Sequence, residues 1–377
     1  MSDANLTPKE NYTPGNHPDL PPPPGTIGTI GWMRKNLFST PLNTFLTLLG
    51  IATIWVTIPP IFNWAIFNSV WNVASRTECW DQMAYPNEGA CWAFVQNRFL
   101  LLIYGFYPEP ERWRVNLSFL MLILAAVPIL FDQVPKRKWA LVYSVAFPFI
   151  AGWLLVGGFG LNPVDSDKFG GVMLTIIIGV TGITFSLPLG VVLALGRTSN
   201  MPALRIVCVL FIEFIRGVPL IALLFIASTM LNYFLPPGSQ FNLLMRVLIM
   251  VTLFAAAYNA EVVRGGLQGI PRGQFEAADA MGLKYWQAMR LIVLPQALKI
   301  SIPGIVNNFI GLYKDTTLVL IIGMFDVLQI GRSSLADAEW SGLANEIYLF
   351  TALFFFACCF SMSRYSLYLE KKLHTGL

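Results

Sequence analysis

Apolar positions along the chain gather into eight long blocks, at about 42–66, 115–131, 139–160, 171–195, 203–234, 242–262, 297–322 and 346–366. Each is long enough as a helix to cross a hydrocarbon core of about 30 Å at 1.5 Å per residue. The pattern therefore predicts an all-α membrane protein with about eight transmembrane helices. A further apolar stretch, Trp92 to Tyr107, is interrupted by Gln96, Asn97 and Arg98. It is expected to be an interfacial or re-entrant helix, because a ninth span would invert every loop downstream.

The polar segments between blocks differ in kind. Residues 1–35 form a Pro-rich tail, with Pro21 to Pro24 in a row, expected to be extended and disordered. Segment 36–168 holds three leading spans and a long loop at 72–114, and a boundary near Lys168-Phe169-Gly170-Gly171 opens a five-span part, 169–377. Within that part, Arg264 to Lys299 is polar and basic, an unusual expense of structured polar chain in so apolar a sequence. Pro271 and Glu276 suit the beginning of a short helix, Gly282 a left-handed stop, and Pro295 the first turn of the next long helix. Ala277 and Ala278 are expected to present a flat face there, with Tyr285 and Trp286 supplying bulk beyond the turn.

Composition agrees with the membrane reading. Apolar and aromatic residues make up 55% of 377 positions, charged residues 12%, and the mean hydropathy is +0.60; soluble domains carry about twice that charge. The net charge of +4 matters less than where the cations fall. With the N-terminus inside, the inner segments hold Lys9, Arg34 and Lys35; Lys136, Arg137 and Lys138; Arg197; Arg264, Arg272, Lys284, Arg290 and Lys299; and Arg364, Lys371 and Lys372. The outer ones hold little beyond Lys168 and Arg332, apart from 72–114, whose four arginines are matched by acids. This places both termini and the loop 264–296 in the cytoplasm. The cations thus report orientation and not nucleic-acid binding.

Both histidines, His17 and His374, lie in the tails, and no metal-ligand cluster is evident. Cys79 and Cys91 share the outer loop and are either a disulfide, if that side is oxidising, or two free thiols. Of the eleven Trp, Trp55, Trp64, Trp71, Trp113, Trp139 and Trp153 fall near span ends or in the leading spans and read as interfacial anchors.

Glu276-Ala277-Ala278, three residues, Gly282, nine residues, Ile292, one residue, Leu294-Pro295 resembles the cytoplasmic coupling loop of the permease subunits of ABC importers. Phe214 to Pro219, Ala260 to Gly266, Ile270 to Gln274 and Lys314 to Leu318 look like segments of the polar amino-acid (histidine/glutamine) branch, so the likeness covers about half the chain, 169–369. The leading spans resemble those of the larger general L-amino-acid permeases. The resemblance implies a five-helix, type I importer core preceded by three extra helices. It also implies that Glu276, Ala277, Ala278, Gly282, Leu294 and Pro295 couple to a separate ATPase. Implied partners are a homologous permease, two ATPase subunits carrying ATP and Mg, a periplasmic amino-acid-binding protein and the inner-membrane bilayer. No Gly-Lys dipeptide occurs, so no phosphate-binding Gly-x4-Gly-Lys-Ser/Thr loop is present, and no cofactor is expected on this chain.

Two intramembrane constellations carry candidate chemistry. Lys314, Asp315, Thr316 and Thr317, with Asn307 and Asn308 two turns earlier, offer an ammonium, a carboxylate, hydroxyls and amides suited to a zwitterionic amino acid. The same Lys and Asp fit equally a structural ion pair, and both readings stay open. Glu213 and Arg216, at i,i+3 with Gly217 and Pro219 beyond, suit a self-neutralised bend near a gate. Asn259, Glu261 and Arg264 suit an anchor for the coupling loop. An ion-coupled secondary transporter working alone would also explain carboxylates in the membrane, although no inverted repeat is visible. A membrane enzyme would need a catalytic constellation, and none is found.

Overall fold

The computed structural model describes residues 28–83, 88–230, 233 and 242–373. His17, His374, the tetraproline run, the extended-tail expectation for 1–27 and the loop at 236–241 lie outside them. The described chain is helical and divides after Ser69 into two compact units.

The first unit holds α1 (Gly28–Asn36) and α2 (Pro41–Phe62), continued by a π-turn at Asn63–Phe67. The helical α1 departs from the expected tail through residue 35: beyond the prolines, the run Thr29 to Asn36 contains no helix breaker except Gly31. Thr40 caps α2, accepting from Asn43 N at 3.2 Å, and Pro41 occupies its first turn, where no N–H is needed. Pro59 and Pro60 sit just upstream of the π-turn and, lacking N–H groups, leave carbonyls one turn before them without a helical donor.

In the second unit, Trp92 to Tyr107 forms two six-residue helices, α4 (Trp92–Asn97) and α5 (Phe99–Tyr104), after a short α3 (Arg76–Asp81). Neither is long enough to span. Then follow α6 (Arg112–Leu130), α7 (Arg137–Val156), α8 (Gly171–Arg197), α9 (Pro202–Gly217), α10 (Leu220–Thr229) and α11 (Leu243–Gln268). The chain closes with α12 (Arg272–Ala280), α13 (Tyr285–Ala288), α14 (Leu294–Asp315), α15 (Val327–Ser334) and α16 (Ala344–Leu373). Among the described residues seven segments are long and apolar enough to cross a membrane, and the bent pair α9–α10, counted as one span, makes an eighth.

Two spans differ from the sequence reading. The fifth is not straight: α9 and α10 meet at 105°. Val218 precedes a proline and is held extended at φ −107°, ψ 133°, so the helix stops at Gly217 and restarts after Pro219. The seventh begins ten residues before Pro295, at Tyr285, and passes through a π-turn at Met289–Val293. Pro295 would clash with the carbonyl one α-turn back, and the wider π-turn just ahead of it relieves that conflict without ending the helix.

The core of this unit forms where α8, α11 and α14 cross. One apolar cluster, including Met173, Ile178, Val247, Val251 and Leu312, fills the end nearer the start of α8. A second, including Ala194, Ile212, Val263, Leu267, Val293 and Ala297, fills the other end and takes in Phe275 of α12. The helices approach closely because small residues face one another. A Cβ on Gly190 would lie 2.8 Å from that of Asn259 and 3.1 Å from the carbonyl of Ala256.

Candidate functional site

The short helix α12 is the element that the polar stretch builds. Pro271 precedes its first residue, Met281 closes it, and Gly282 reverses the chain at φ +71°, a region that costs glycine little. Gln296 Nε2 donates to Gln274 Oε1 at 3.0 Å, tying α12 to the first turn of α14. Its two alanines do not share a face, as the sequence reading had expected. Ala278 is buried against the α13–α14 segment and Ala277 is exposed, since adjacent helical residues are rotated by about 100°. The outward surface therefore consists of Glu276, Ala277 and Asp279, flanked by exposed Met281, Tyr285, Trp286 and Leu291. Leu294 is half-buried and Pro295 exposed.

One layer inward lies a five-member charge network at the far end of α8. Glu261 of α11 is its hub. Arg264 grips it through two hydrogen bonds of 2.8 and 2.9 Å, Arg197 of α8 reaches it at 3.0 Å and Arg216 of α9 at 3.5 Å. Arg197 also holds Glu213 at 2.8 Å. Among the described residues no ion pair joins Glu213 to Arg216, so the expected self-neutralised i,i+3 pair is not formed; closer partners on the neighbouring helices take each charge. Arg216 also lies over the ring of Tyr258, 5.5 Å from its centroid. Three helices thus meet through charges that are costly in a membrane unless paired. The positive-inside count uses Arg197 only for topology; its place two residues beyond the apolar block 171–195, as the last residue of α8, is the signal that it can reach back into a site.

A neutral chain of polar groups runs beside this network. Asn308 Nδ2 donates to Asn259 Oδ1, and Asn259 Nδ2 donates to Ser186 Oγ, each at 3.1 Å. Asn259 and Ser186 are fully buried. This ladder locks α14 to α11 and α11 to α8, and Ser301 Oγ adds a 3.2 Å bond to the Val262 carbonyl. Asn308, expected beside the substrate, is committed to this lock.

The remaining substrate candidates sit at the opposite end of α14. Lys314 is exposed, Asp315 half-buried and Asn307 exposed. Among the described residues no ion pair within 4.0 Å joins Lys314 to Asp315. Thr316 is buried and its hydroxyl donates to the Tyr313 carbonyl at 2.8 Å; Thr317 does the same to Lys314 at 3.0 Å. Such back-bonding is how a helix end satisfies its threonines. Lys314, Asp315 and Asn307 keep polar groups available.

At the start of α8 the loop 72–114 is stapled. Cys79 and Cys91 form a disulfide, with Cα atoms 6.0 Å apart. Arg76 Nη1 donates to the carbonyl and hydroxyl of Ser341, both at 2.6 Å, and Arg98 pairs with Asp337. Phe94 stacks on Trp340 with centroids 5.6 Å apart, and the Cys91 N–H donates to Glu346 Oε1 at 3.0 Å. Nearby, Asp326 is fully buried and caps α15 by accepting from Gln329 N at 2.9 Å, while its Oδ2 has no partner. Burial pushes its carboxyl up to about 6. Among the described residues no group of three metal-ligating side chains comes together.

Comparison with known proteins adds four observations. Residues 186–375 match the family described as the binding-protein-dependent transport system inner membrane component. The chain is 45% identical, over 99% of both lengths, to the glutamate/glutamine/aspartate/asparagine transport system permease protein BztC of Rhodobacter capsulatus. It is 46% identical to the inner membrane amino-acid ABC transporter permease protein YhdY of Escherichia coli K12, covering 96% of this chain and 97% of that one. A shorter relative, the probable amino-acid ABC transporter permease protein YckA of Bacillus subtilis, is 33% identical and matches 54% of this chain but 87% of its own.

Proposed function

Because the chain belongs to the inner-membrane components of binding-protein-dependent transport systems, and among them to the amino-acid ABC transporter permeases, we propose that α12 docks into a separate ATP-hydrolysing subunit and transmits its closure. The chain forms half of an amino-acid pathway in the inner membrane, pairs with a homologous permease, and receives L-amino acids from a periplasmic binding protein. ATP and Mg belong to the two ATPase partners, and both termini of this chain are cytoplasmic. Residues 169–377 form the pathway core, in keeping with the short relative that matches only about half the chain. An ion-coupled transporter working alone is not favoured, since the full-length relatives are ABC permeases.

The observation that carries this reading is the exposed acidic and apolar face of α12, built on a helix locked to α11 and α14. A force on that face moves Phe275 and Leu267, which pack in one cluster with Val263. The network at Glu261 lies within one turn of Val263, so the α8–α9–α11 junction would open or close with α12. Glu213, Arg216 and the Gly217–Pro219 bend then act as a gate. Lys314 and Asp315 are assigned to the carboxylate and ammonium of the substrate, with Asn307 alongside; the Thr316 and Thr317 hydroxyls, bonded back to the Tyr313 and Lys314 carbonyls, shape the helix end instead. An exposed ammonium in a span costs about 2.5–3.5 kcal/mol against lipid, which favours a wet path or a partner surface at that place. The bond from Asn308 to Asn259 assigns Asn308 a positioning role instead.

Gly282→Val tests the coupling, because it forces a β-branched residue into left-handed backbone. ATPase subunits should co-purify with the wild-type chain and be lost from the variant, by roughly 30-fold if the docking residues carry about 2 kcal/mol. Lys314→Met and Asp315→Asn should keep the ATPases and lose uptake. Unchanged uptake in both would remove the substrate assignment; uptake by the chain alone, driven by an ion gradient, would remove the reading entirely.

A further inference from the structure

Where α6 ends and α7 begins, the chain packs against the C-terminal part of α16, from Ser361 onward, and leaves a cleft of about 630 Å³. Its floor is apolar and aromatic, with Leu130, Phe131, Met362, Tyr365 and Tyr368, and Lys372 stands at its mouth. The walls are fixed by polar bonds. Tyr365 Oη donates to the Ile129 carbonyl at 2.9 Å, and Arg137 Nε donates to that of Pro128 at 3.1 Å. Asp132 is shared by two cations: Arg137 approaches Oδ1 at 2.6 Å and Lys372 pairs with Oδ2. One carboxylate thus faces two positive charges, and exposed Lys136, Lys138 and Lys371 stand nearby in the chain. Lys372 also lies over the Tyr368 ring, 5.7 Å from its centroid.

The cleft sits at the level where apolar spans give way to charge. Trp139, two residues into α7, is 75% exposed there, as expected of an anchor at the headgroup level. The first turn of α7 has no side-chain cap, so its N–H groups add to the positive potential. An apolar floor opening at a cationic rim matches an acyl chain joined to a negative phosphodiester. Basic pockets between membrane helices hold such headgroups, at about 1 kcal/mol per cation.

We propose that this cleft is a binding site for an anionic phospholipid, its phosphodiester held by Lys372, with Arg137 behind Asp132 reinforcing the positive charge, and its glycerol end lying over Tyr365 and Tyr368. The lipid bridges the leading spans to the C-terminal helix. Asp132 competes with it for Lys372, so this carboxylate sets the affinity from within the site.

Native mass spectrometry of the assembled complex, in mild detergent with equimolar phosphatidylglycerol and phosphatidylcholine, tests it. Phosphatidylglycerol should be retained preferentially. Lys372→Gln and the rim variant Lys371→Gln should each lower that preference, by about fivefold for a full contact. Asp132→Asn should raise it, the opposite of what loss of a merely structural ion pair would do. Millimolar inorganic phosphate should not displace the lipid. Equal retention of the two lipids, preference unchanged by all three substitutions, or displacement by free phosphate would overturn the proposal.

Discussion

The two ends of α8 are held by opposite means. At Gly171 the neighbouring loops are bound by a disulfide, an Arg–Asp pair, a buried glutamate and stacked rings, so that the loop 72–114 and the segment before α16 move as one piece. At Arg197, about 40 Å away along 27 residues, there is no covalent tie. Three helices there share charges around Glu261, one helix is broken by 105°, another contains a π-turn, and α12 stands outward. The difference teaches how a permease can be both anchored and movable. Stiff contacts face one side, while exchangeable ion pairs and helix irregularities collect where a motor would act.

If that contrast holds, the stapled end should dominate stability. Replacing Cys79 and Cys91 by Ser should cost about 3 kcal/mol, the amount expected for closing a loop of this size. Thermal unfolding in nanodiscs checks the loss, and ATPase co-purification should survive it. Asp326 should make the same end pH-sensitive. Its folded pKa of about 6 lies above the ordinary carboxylate value, so the folded state holds its proton more tightly. Stability should be full below about pH 4 and fall by up to about 3 kcal/mol as pH rises through 6. Asp326→Asn keeps the cap and should flatten that slope. The smallest effect belongs to the movable end: Asn308→Leu breaks one rung of the Ser186–Asn259–Asn308 ladder, for about 0.6–1.7 kcal/mol by unfolding. It should change transport rate more than it changes stability.

The same contrast explains what could be read in the sequence. The number of spans and most of their limits were legible because the bilayer demands length and hydrophobicity, which are local properties; the seventh span's start at Tyr285, twelve residues before the apolar block at 297, was not, because it lies in the polar stretch. The Gly282 stop and the start of α12 were legible because turn chemistry is local too. The 105° bend was signalled by Val218-Pro219 but not its size, which depends on what α10 packs against. Glu213 and Arg216 were seen as a pair because they are close in sequence, whereas their partners Arg197 and Glu261 come from other helices. Asn308 looked like a substrate ligand for the same reason: its partner Asn259 is 49 residues away. Spacing along one helix shows which groups share a face, and only packing decides what that face meets.

The central claim is that α12 is the docking element, and site-specific photocrosslinking tests it most directly. A photoreactive side chain would replace Ala277, exposed on α12, and in a second protein Glu109, exposed near the stapled end. In the assembled, ATP-hydrolysing complex, the Ala277 position should crosslink to the ATPase subunit and the Glu109 position should not. Crosslinking at Glu109 without any at Ala277 would contradict the account.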